Sequence, residues 1–299
     1  MTEESSKAQE RGFGQNSLSD SLSTVLKTLE EREKYQHAVR ILNYDEETVC
    51  PEKGLEEQGE IEAFLDNQGY RLTKIPEYLS AADSLIQGKE RLSKLDQILV
   101  HYLEREKEKT RNIPPEKSLE FDQIRRGAFV SWLRAKKNSD FSIFAGDLEK
   151  VRDAGIEEIR LRGAGTTDLY DQMLDDYEEG ITTEDLDAVF SDFLDRMTPL
   201  LKKIVKSRKV IRTDFLSRPV TDEQQRRLTN ALLKEMGFDF TRGAWAMSEH
   251  PFTDNLGKDD SRITTHFMPN AFLSSMYSVL HEGGHALFMQ NQPEEDYLR

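Results

Sequence analysis

Two histidines near the end of the chain are spaced for metal binding, and a carboxylate follows the first of them. The segment is His281-Glu282-Gly283-Gly284-His285. Residues four apart lie on one face of an α-helix, so both imidazoles can reach a single ion. Glu282 would project beside that ion, where it can accept a proton from the water that attacks a peptide carbonyl. These residues therefore predict the zinc site and the general base of a peptidase.

The residues around this pair predict a buried helix. Buried imidazoles need polar partners, and one metal ion would satisfy both rings. The alternative is a pair of helix histidines that bind other side chains. Gly283 and Gly284 each cost a helix about 1 kcal/mol relative to Ala, which predicts that a substrate strand or a neighbouring helix approaches here. The apolar residues that support the buried helix are Met276, Val279, Leu280, Ala286, Leu287 and Phe288.

Zinc needs a third protein ligand, and the sequence does not identify one by spacing. Asn291 stands at the sixth position after His285, where the extended zinc-binding motif has a histidine. Glu294 and Glu295 follow Pro293, and a turn at this proline could bring a carboxylate back to the metal. An acidic loop is the other interpretation of these two residues.

Composition limits the partners and the compartment. The chain has 299 residues and a net charge of −15, which argues against nucleic acid and against an anionic membrane surface. No apolar run is long enough to span a bilayer, and the polar residues 1–16 lack the apolar core of a signal peptide. Cys50 is the one cysteine, so an intrachain disulfide is excluded. A cytoplasmic location is the resulting expectation.

The hydrophobic pattern predicts a mainly α protein with a small β element beside the metal site. Pro115, Thr182 and Thr221 are expected to start helices, and Gly237 is expected to end one. Residues 238–272 are rich in Gly and Pro and contain a short alternating stretch, so they predict loops with a strand or two. Helix is expected to resume near Pro269.

Five segments resemble the thermostable carboxypeptidase Taq family of zinc metallocarboxypeptidases. They follow the family's order over nearly the whole chain. The resemblance implies a large helical body of two lobes around a deep cleft, with a small sheet beside the zinc. Tyr44 departs from the family's usual Trp, and Gly283 stands where the family has a larger residue. The segments are Tyr44-Asp45-Glu46-Glu47-Thr48, Tyr170 to Gly180, His250-Pro251-Phe252, Asp260-Ser261-Arg262-Ile263-Thr264 and His281 to Phe288.

The resemblance implies roles for the metal-site residues. His281 and His285 would bind one zinc ion, or one cobalt ion, and Glu282 would be the general base. The family's third ligand, a Glu on the helix after the zinc helix, would lie beyond Arg299. The chain is thus expected to be the N-terminal part of such an enzyme. Residues 1–16 would be a disordered leader, and residues 17–299 a helical metallopeptidase domain that is incomplete at its C-terminus.

The resemblance also implies substrate-binding residues. Arg262 would bind the free terminal carboxylate of a peptide substrate, and a guanidinium is suited to this because it pairs a carboxylate bidentately. The alternative is a structural ion pair with Asp260. His250 would lie near the substrate and donate to a developing oxyanion. Its alternative is a loop histidine that caps a turn at Pro251.

Three functions remain open on the sequence. The first is a carboxypeptidase that removes single residues. Its missing part either is supplied by a complementing C-terminal chain or lies outside this sequence, and a homodimer is the other assembly considered. The second is a catalytically inactive helical remnant that binds a peptide or a partner protein, for which an exposed apolar face would favour oligomers. The third is a helical zinc oligopeptidase that cuts internally. Amidation of the substrate's C-terminus separates the first from the third, and zinc content separates the first from the second.

Overall fold

The structure is a computed structural model that describes residues 3–163, 168–257 and 259–292, with side chains from Leu18 onward. Helices dominate it, and one small sheet precedes the last helix, which confirms the predicted fold class. The helices are α1 Glu3–Thr48, α2 Leu55–Leu72, α3 Pro76–Gln87, α4 Lys94–Thr110, α5 Pro115–Asn138, α6 Ser142–Arg162, α7 Leu169–Leu174, α8 Thr183–Lys206, α9 Asp222–Met236 and α10 Phe272–Gln290. The strands are β1 Gly243–Met247, β2 Thr253–Gly257 and β3 Asp260–Thr265.

Local sequence rules account for several helix ends. Pro115 occupies the first turn of α5, where its missing N–H costs no hydrogen bond. Thr182 and Thr221 each form a capping box at the start of α8 and α9. Gly237 ends α9 with a φ of 88°, a left-handed conformation that favours glycine. These four predicted boundaries are confirmed.

The helix predicted to resume near Pro269 is α10, but the proline itself lies outside the helix. α10 begins at Phe272 and has Ala271 as its N-cap. Pro269 lies before this cap, and its carbonyl accepts a hydrogen bond from the backbone N–H of Val220. The proline therefore joins the loop that precedes α9 to the loop that precedes α10, and it does not shape the first turn of a helix.

The sequence predicts that residues 1–16 form a disordered leader. In the structure α1 begins at Glu3, within this segment. The first side chain that the structure describes is Leu18, which is buried against α3 and α4 with Val25, Leu85 and Leu99. The division of the chain at residue 16 stays a prediction.

The sheet has the order β1-β3-β2, with β1 parallel and β2 antiparallel to β3. Thr253 pairs with Ile263, and the Ile263 side chain is buried with Val279 and Ala286 of α10. This face of the sheet therefore packs on the helix that carries the two histidines.

The other face of the sheet meets the end of α1. Asp254 pairs with Arg262, and because successive side chains alternate, both point away from α10. The Arg262 guanidinium lies 5.0 Å from the Tyr44 ring centroid, and the Phe252 ring meets the same Tyr44 ring edge-on at 6.0 Å. Three of the sequence segments that suggested the family thus converge at one place.

Ion pairs hold another of the five segments that resemble the family, Tyr170 to Gly180. Asp175 binds Arg105 of α4, while Asp176 binds Lys109 of α4 and Arg162 of α6. Charged residues at the end of α4 thus fix residues 170–180 against the helical body.

Helix α8 presents an apolar face without a cover. None of the residues of α8 is buried by the described part of the chain. No helix in the described ranges combines the length and the apolar character needed to cross a membrane. The large apolar side chains exposed on α8 are Val189, Phe190, Phe193, Leu194, Met197, Leu200, Leu201, Ile204 and Val205.

Candidate metal centre and active site

The two predicted metal ligands lie together on one face of α10. The Nε2 atoms of His281 and His285 are 3.2 Å apart, and their ring centroids are 4.8 Å apart. Two nitrogen ligands of a tetrahedral zinc ion, each at about 2.0–2.1 Å, are separated by about 3.3 Å. The two nitrogens therefore fit one zinc ion without a change of backbone, which is the requirement that the sequence argument placed on this pair.

The expectation that these imidazoles are buried is wrong. Both rings are exposed, because the buried stripe of α10 falls on the opposite side of the helix. Their described side-chain contact is with each other, so a shared ion and the alternative of histidines that bind other side chains both stay open. The buried stripe consists of Ser275, Val279, Glu282, Gly283, Ala286 and Gln290.

Glu282 lies at the edge between these two sides of α10. Its residue surface is only 7% exposed. The Thr253 Oγ1 atom is 2.6 Å from Glu282 Oε2 and 3.0 Å from the Glu282 carbonyl oxygen. A carboxylate that follows a ligand in a helix and is fixed by a strand hydroxyl is suited to act as a general base.

The described residues do not supply a third ligand. In the ranges 3–163, 168–257 and 259–292, no group of three or more His, Cys, Asp or Glu side chains is arranged to hold a metal. Glu294 and Glu295 lie outside the described residues, so both interpretations of them, an acidic loop and a carboxylate returned to the metal, stay open.

The two glycines of the motif have different surroundings. A Cβ at Gly283 would lie 2.8 Å from Met236 Cε and 3.1 Å from Leu233 Cδ2. The predicted close neighbour at this glycine is therefore helix α9. A Cβ at Gly284 would meet nothing within 4 Å, so this glycine leaves open space on the exposed side of the helix.

Arg262 is already engaged by a carboxylate. Its Nε and Nη2 atoms donate to the two oxygens of Asp260 at 2.9 and 2.8 Å. This bidentate pair raises the pKa of the guanidinium further above its ordinary value. The Arg262 side chain also lies on the face of β3 that points away from α10. The geometry therefore favours the ion-pair alternative. A role in substrate binding stays a prediction.

His250 is exposed, and hydrogen bonds fix the backbone of the loop that carries it. Its carbonyl accepts a hydrogen bond from Ser248 Oγ at 2.7 Å, and Ser248 Oγ lies 2.7 Å from Thr264 Oγ1. Thr264 also accepts from the backbone N–H of Phe252 at 2.9 Å. The loop backbone is thus fixed, while the His250 ring stays open to solvent. Its role near the substrate stays a prediction.

Two buried acids lie where the C-terminal end of α1 meets α2, Glu46 on α1 and Glu62 on α2. Glu46 is 7% exposed and Glu62 is 0% exposed, and each has one carboxyl oxygen without a hydrogen-bond donor among the described residues. Burial raises the pKa of both carboxyls to about 7, although the Arg126 guanidinium opposes the rise. Burial therefore favours the protonated form of each carboxyl near neutral pH.

Glu46→Gln should weaken the dependence of stability on pH. A folded-state pKa of about 7, above the ordinary 4.5, means that the stability contributed by this carboxyl is fully present below about pH 4.5 and is lost as the pH rises through 7. Removal of this one acid should reduce the loss between about pH 5 and pH 8 by roughly 1–3 kcal/mol. Urea unfolding at both pH values measures it, with the exposed Glu57→Gln as control. An unchanged pH dependence in Glu46→Gln would contradict the raised pKa of this carboxyl.

Comparison with known proteins identifies the family. Residues 24–299, nearly the whole chain, match the family described as Carboxypeptidase Taq (M32) metallopeptidase. The chain belongs to the M32 metallopeptidase family. Membership confirms the resemblance on which the site residues were predicted, and it implies a metal cofactor.

Curated M32 relatives match most of this chain. Thermostable carboxypeptidase 1 of Pyrococcus furiosus is 32% identical over 260 residues, which cover 86% of the chain and 52% of the relative. Carboxypeptidase 1 of Bacillus subtilis is 29% identical over 260 residues, which cover 87% of the chain and 52% of the relative. The chain therefore spans about half the length of the curated M32 relatives that it matches.

Solved M32 structures have the same fold. The structure described as "BsuCP Crystal Structure" superposes with a TM-score of 0.88 at 28% identity and covers 92% of this chain and 55% of its own. A Pyrococcus furiosus carboxypeptidase structure gives a TM-score of 0.78 at 29% identity, with 92% and 55% covered. The helical body and the sheet described above are therefore the corresponding part of the M32 fold.

Around the candidate site, the structure shows hydroxyls to which no role was assigned from the sequence. Thr253, Ser248 and Thr264 carry the hydroxyls that join the His-Pro-Phe segment, the third strand and Glu282. Thr253 directly follows Phe252 and begins a strand, but its spacing from Glu282 gives no signal of contact. Pairing of β2 with β3 is needed before that contact can be inferred.

Proposed function

We propose that this chain carries the metal ligands and the general base of a zinc-dependent carboxypeptidase. Its substrate is a peptide with a free C-terminus, from which it removes single residues. The observation that carries the proposal is the 3.2 Å separation of the His281 and His285 Nε2 atoms, with Glu282 next to the first ligand on the same helix. The carboxypeptidase names of the M32 relatives support the substrate class.

The residues around the metal have separate tasks in this proposal. A bound zinc ion supplies Lewis acidity, which makes water a nucleophile near neutral pH. Glu282 accepts the proton of the attacking water through Oε1, since Oε2 is bound by Thr253. The exposed His250 ring donates a hydrogen bond to the oxyanion that develops on the peptide carbonyl.

Recognition of the terminal carboxylate is assigned to Arg262. Its described bonds to Asp260 use Nε and Nη2, and the side chain is 29% exposed. The proposal therefore requires that Nη1 binds the substrate carboxylate or that the substrate displaces Asp260. Zinc is proposed as the native metal because two imidazoles with a carboxylate as third ligand form a common catalytic zinc site, and cobalt is the second candidate.

The third ligand is proposed to come from sequence that the M32 relatives have and that this chain does not span. It can reach the site on the same polypeptide or on a complementing C-terminal chain. The uncovered apolar face of α8 supports this, since a face of this size normally packs against further protein or a second copy in a homodimer.

A matched pair of peptides tests the proposed function. With zinc and a complementing C-terminal M32 segment added, the chain should release one residue at a time from an N-blocked peptide with a free C-terminus. The same peptide with an amidated C-terminus should be cleaved at least about 100-fold more slowly, because the charge pairing at the terminal carboxylate is lost. Mass spectrometry of the products over time measures both rates and the position of the cut.

Other outcomes identify the competing functions. Equal cleavage of both peptides, or cuts inside the chain, would show an oligopeptidase that acts internally. A chain that binds no stoichiometric zinc and cleaves neither peptide, also when a C-terminal M32 segment is supplied, would be an inactive remnant that binds peptide or a partner protein.

A further inference from the structure

We propose that Thr253 positions the Glu282 carboxylate for proton transfer, an inference that rests on the proposed function. Thr253 is the first residue of β2, and Glu282 lies on α10. The Thr253 hydroxyl is 2.6 Å from Glu282 Oε2 and 3.0 Å from the Glu282 carbonyl oxygen. A hydroxyl has one proton, and a charged oxygen at the shorter distance is the stronger acceptor. The hydroxyl therefore donates to Oε2.

The strand holds Thr253 firmly enough to position its partner. Its backbone pairs with Ile263 in the sheet, and Ile263 is buried against α10. The preceding Phe252 exchanges two bonds with Thr264, which is 0% exposed: Phe252 N–H donates to Thr264 Oγ1 at 2.9 Å, and Thr264 N–H donates to the Phe252 carbonyl at 2.8 Å. A β-branched side chain on such a strand has little rotational freedom.

The consequence for Glu282 is a fixed orientation. A glutamate side chain has three rotatable bonds, and burial alone does not choose between its two carboxyl oxygens. The bond to Oε2 selects one rotamer and leaves Oε1 as the oxygen that accepts a proton. Residues that orient the groups around a metal typically change activity by about 10–100-fold when they are removed. Thr253 has such a place in this site.

Substitutions at Thr253 separate positioning from packing. Thr253→Val keeps the shape of the side chain and removes the hydroxyl, so kcat for the free-C-terminus peptide should fall at least about 10-fold. KM and the bound zinc per chain should stay within about twofold of wild type, since neither peptide binding nor the ligands involve this hydroxyl. Thr253→Ser restores the hydroxyl and should recover kcat to within about threefold of wild type.

The matched control is Thr265→Val. Thr265 lies on β3, is 1% exposed, and its described side-chain bond is with the Ser275 carbonyl of α10 at 3.5 Å. Its kcat should stay within about twofold of wild type. A Thr253→Val variant that keeps the wild-type kcat with zinc bound overturns the proposal. So does a Thr253→Ser variant that is as slow as Thr253→Val.

A double-mutant cycle tests the same contact without turnover. Thermal unfolding of the metal-free chain is compared for Thr253→Val, Glu282→Ala and the double variant. Thr253→Val should lower Tm by about 2–4 °C when Glu282 is present and by less than about 1 °C when it is Ala. Additive effects overturn the proposal. A wild-type chain that holds zinc but hydrolyses nothing, also when a C-terminal M32 segment is supplied, refutes the proposed function, and the cycle still decides whether Thr253 holds Glu282.

Discussion

Glu282→Gln is expected to lower kcat for a peptide with a free C-terminus by about 10²–10⁴-fold. The amide keeps the size of the side chain, and its oxygen can still accept the bond that Thr253 donates at 2.6 Å. It cannot take a proton from the attacking water, so the base is lost while the surrounding packing is kept. Zinc content and KM should change little, because Glu282 is not assigned as a ligand. Steady-state kinetics and metal analysis on the same preparation measure this.

The control for that variant is Glu235→Gln on α9. Glu235 is exposed, so the substitution changes the charge of the chain by the same amount at a surface position. Its kcat should equal that of wild type within about twofold. If Glu282→Gln keeps more than about a tenth of wild-type kcat, Glu282 is not the general base.

His281→Ala and His285→Ala are each expected to weaken zinc binding by about 100-fold or more. The binding free energy of zinc sites with four protein ligands is about 10–16 kcal/mol. Roughly a quarter of this free energy should be lost with one ligand, which corresponds to about 100-fold or more in affinity. The two Nε2 atoms lie 3.2 Å apart and act on the same ion, so either loss leaves a single imidazole. Competition with a chromophoric chelator measures the zinc affinity of each variant.

A surface histidine provides the comparison for these variants. His101 is exposed on α4 and contacts Glu179 at 3.0 Å, so His101→Ala should leave zinc affinity unchanged. The two ligand variants should also unfold at the wild-type temperature in the absence of metal, because both rings are exposed. Equal zinc affinity in wild type and in either ligand variant would remove the proposed metal centre.

Local rules allowed much of the fold to be predicted from the sequence. Pro115, Thr182, Thr221 and Gly237 mark helix ends through hydrogen bonds and backbone angles that involve only a few neighbouring residues. The sheet could not be predicted in the same way. β1 pairs directly with β3, although β2 lies between them in the sequence. This order depends on packing between segments that are distant in the sequence. Pro269 misled for the same reason, since its carbonyl serves Val220 in another loop.

The site shows the same division between local and distant information. The convergence of His281 and His285 follows from helix geometry alone, so the sequence predicted it. Their exposure did not follow, because both sides of the helix carry apolar residues and only the packed structure shows which side is buried. The Thr253–Glu282 bond and the Glu46–Glu62 pair join different elements, so no spacing in the sequence reveals them.

The attachment of α1 to the sheet has a consequence for the order of folding. The His37 ring contacts the Leu256 carbonyl across 219 residues of chain, and Tyr44 meets Phe252 nearby. Closing so long a loop has a high entropic cost and slows folding, whereas a single helical turn forms the imidazole pair within microseconds. On the ribosome, the C-terminal end of α1 can therefore pack on α2 early, whereas its contacts with the sheet must wait until the last third of the chain has been made.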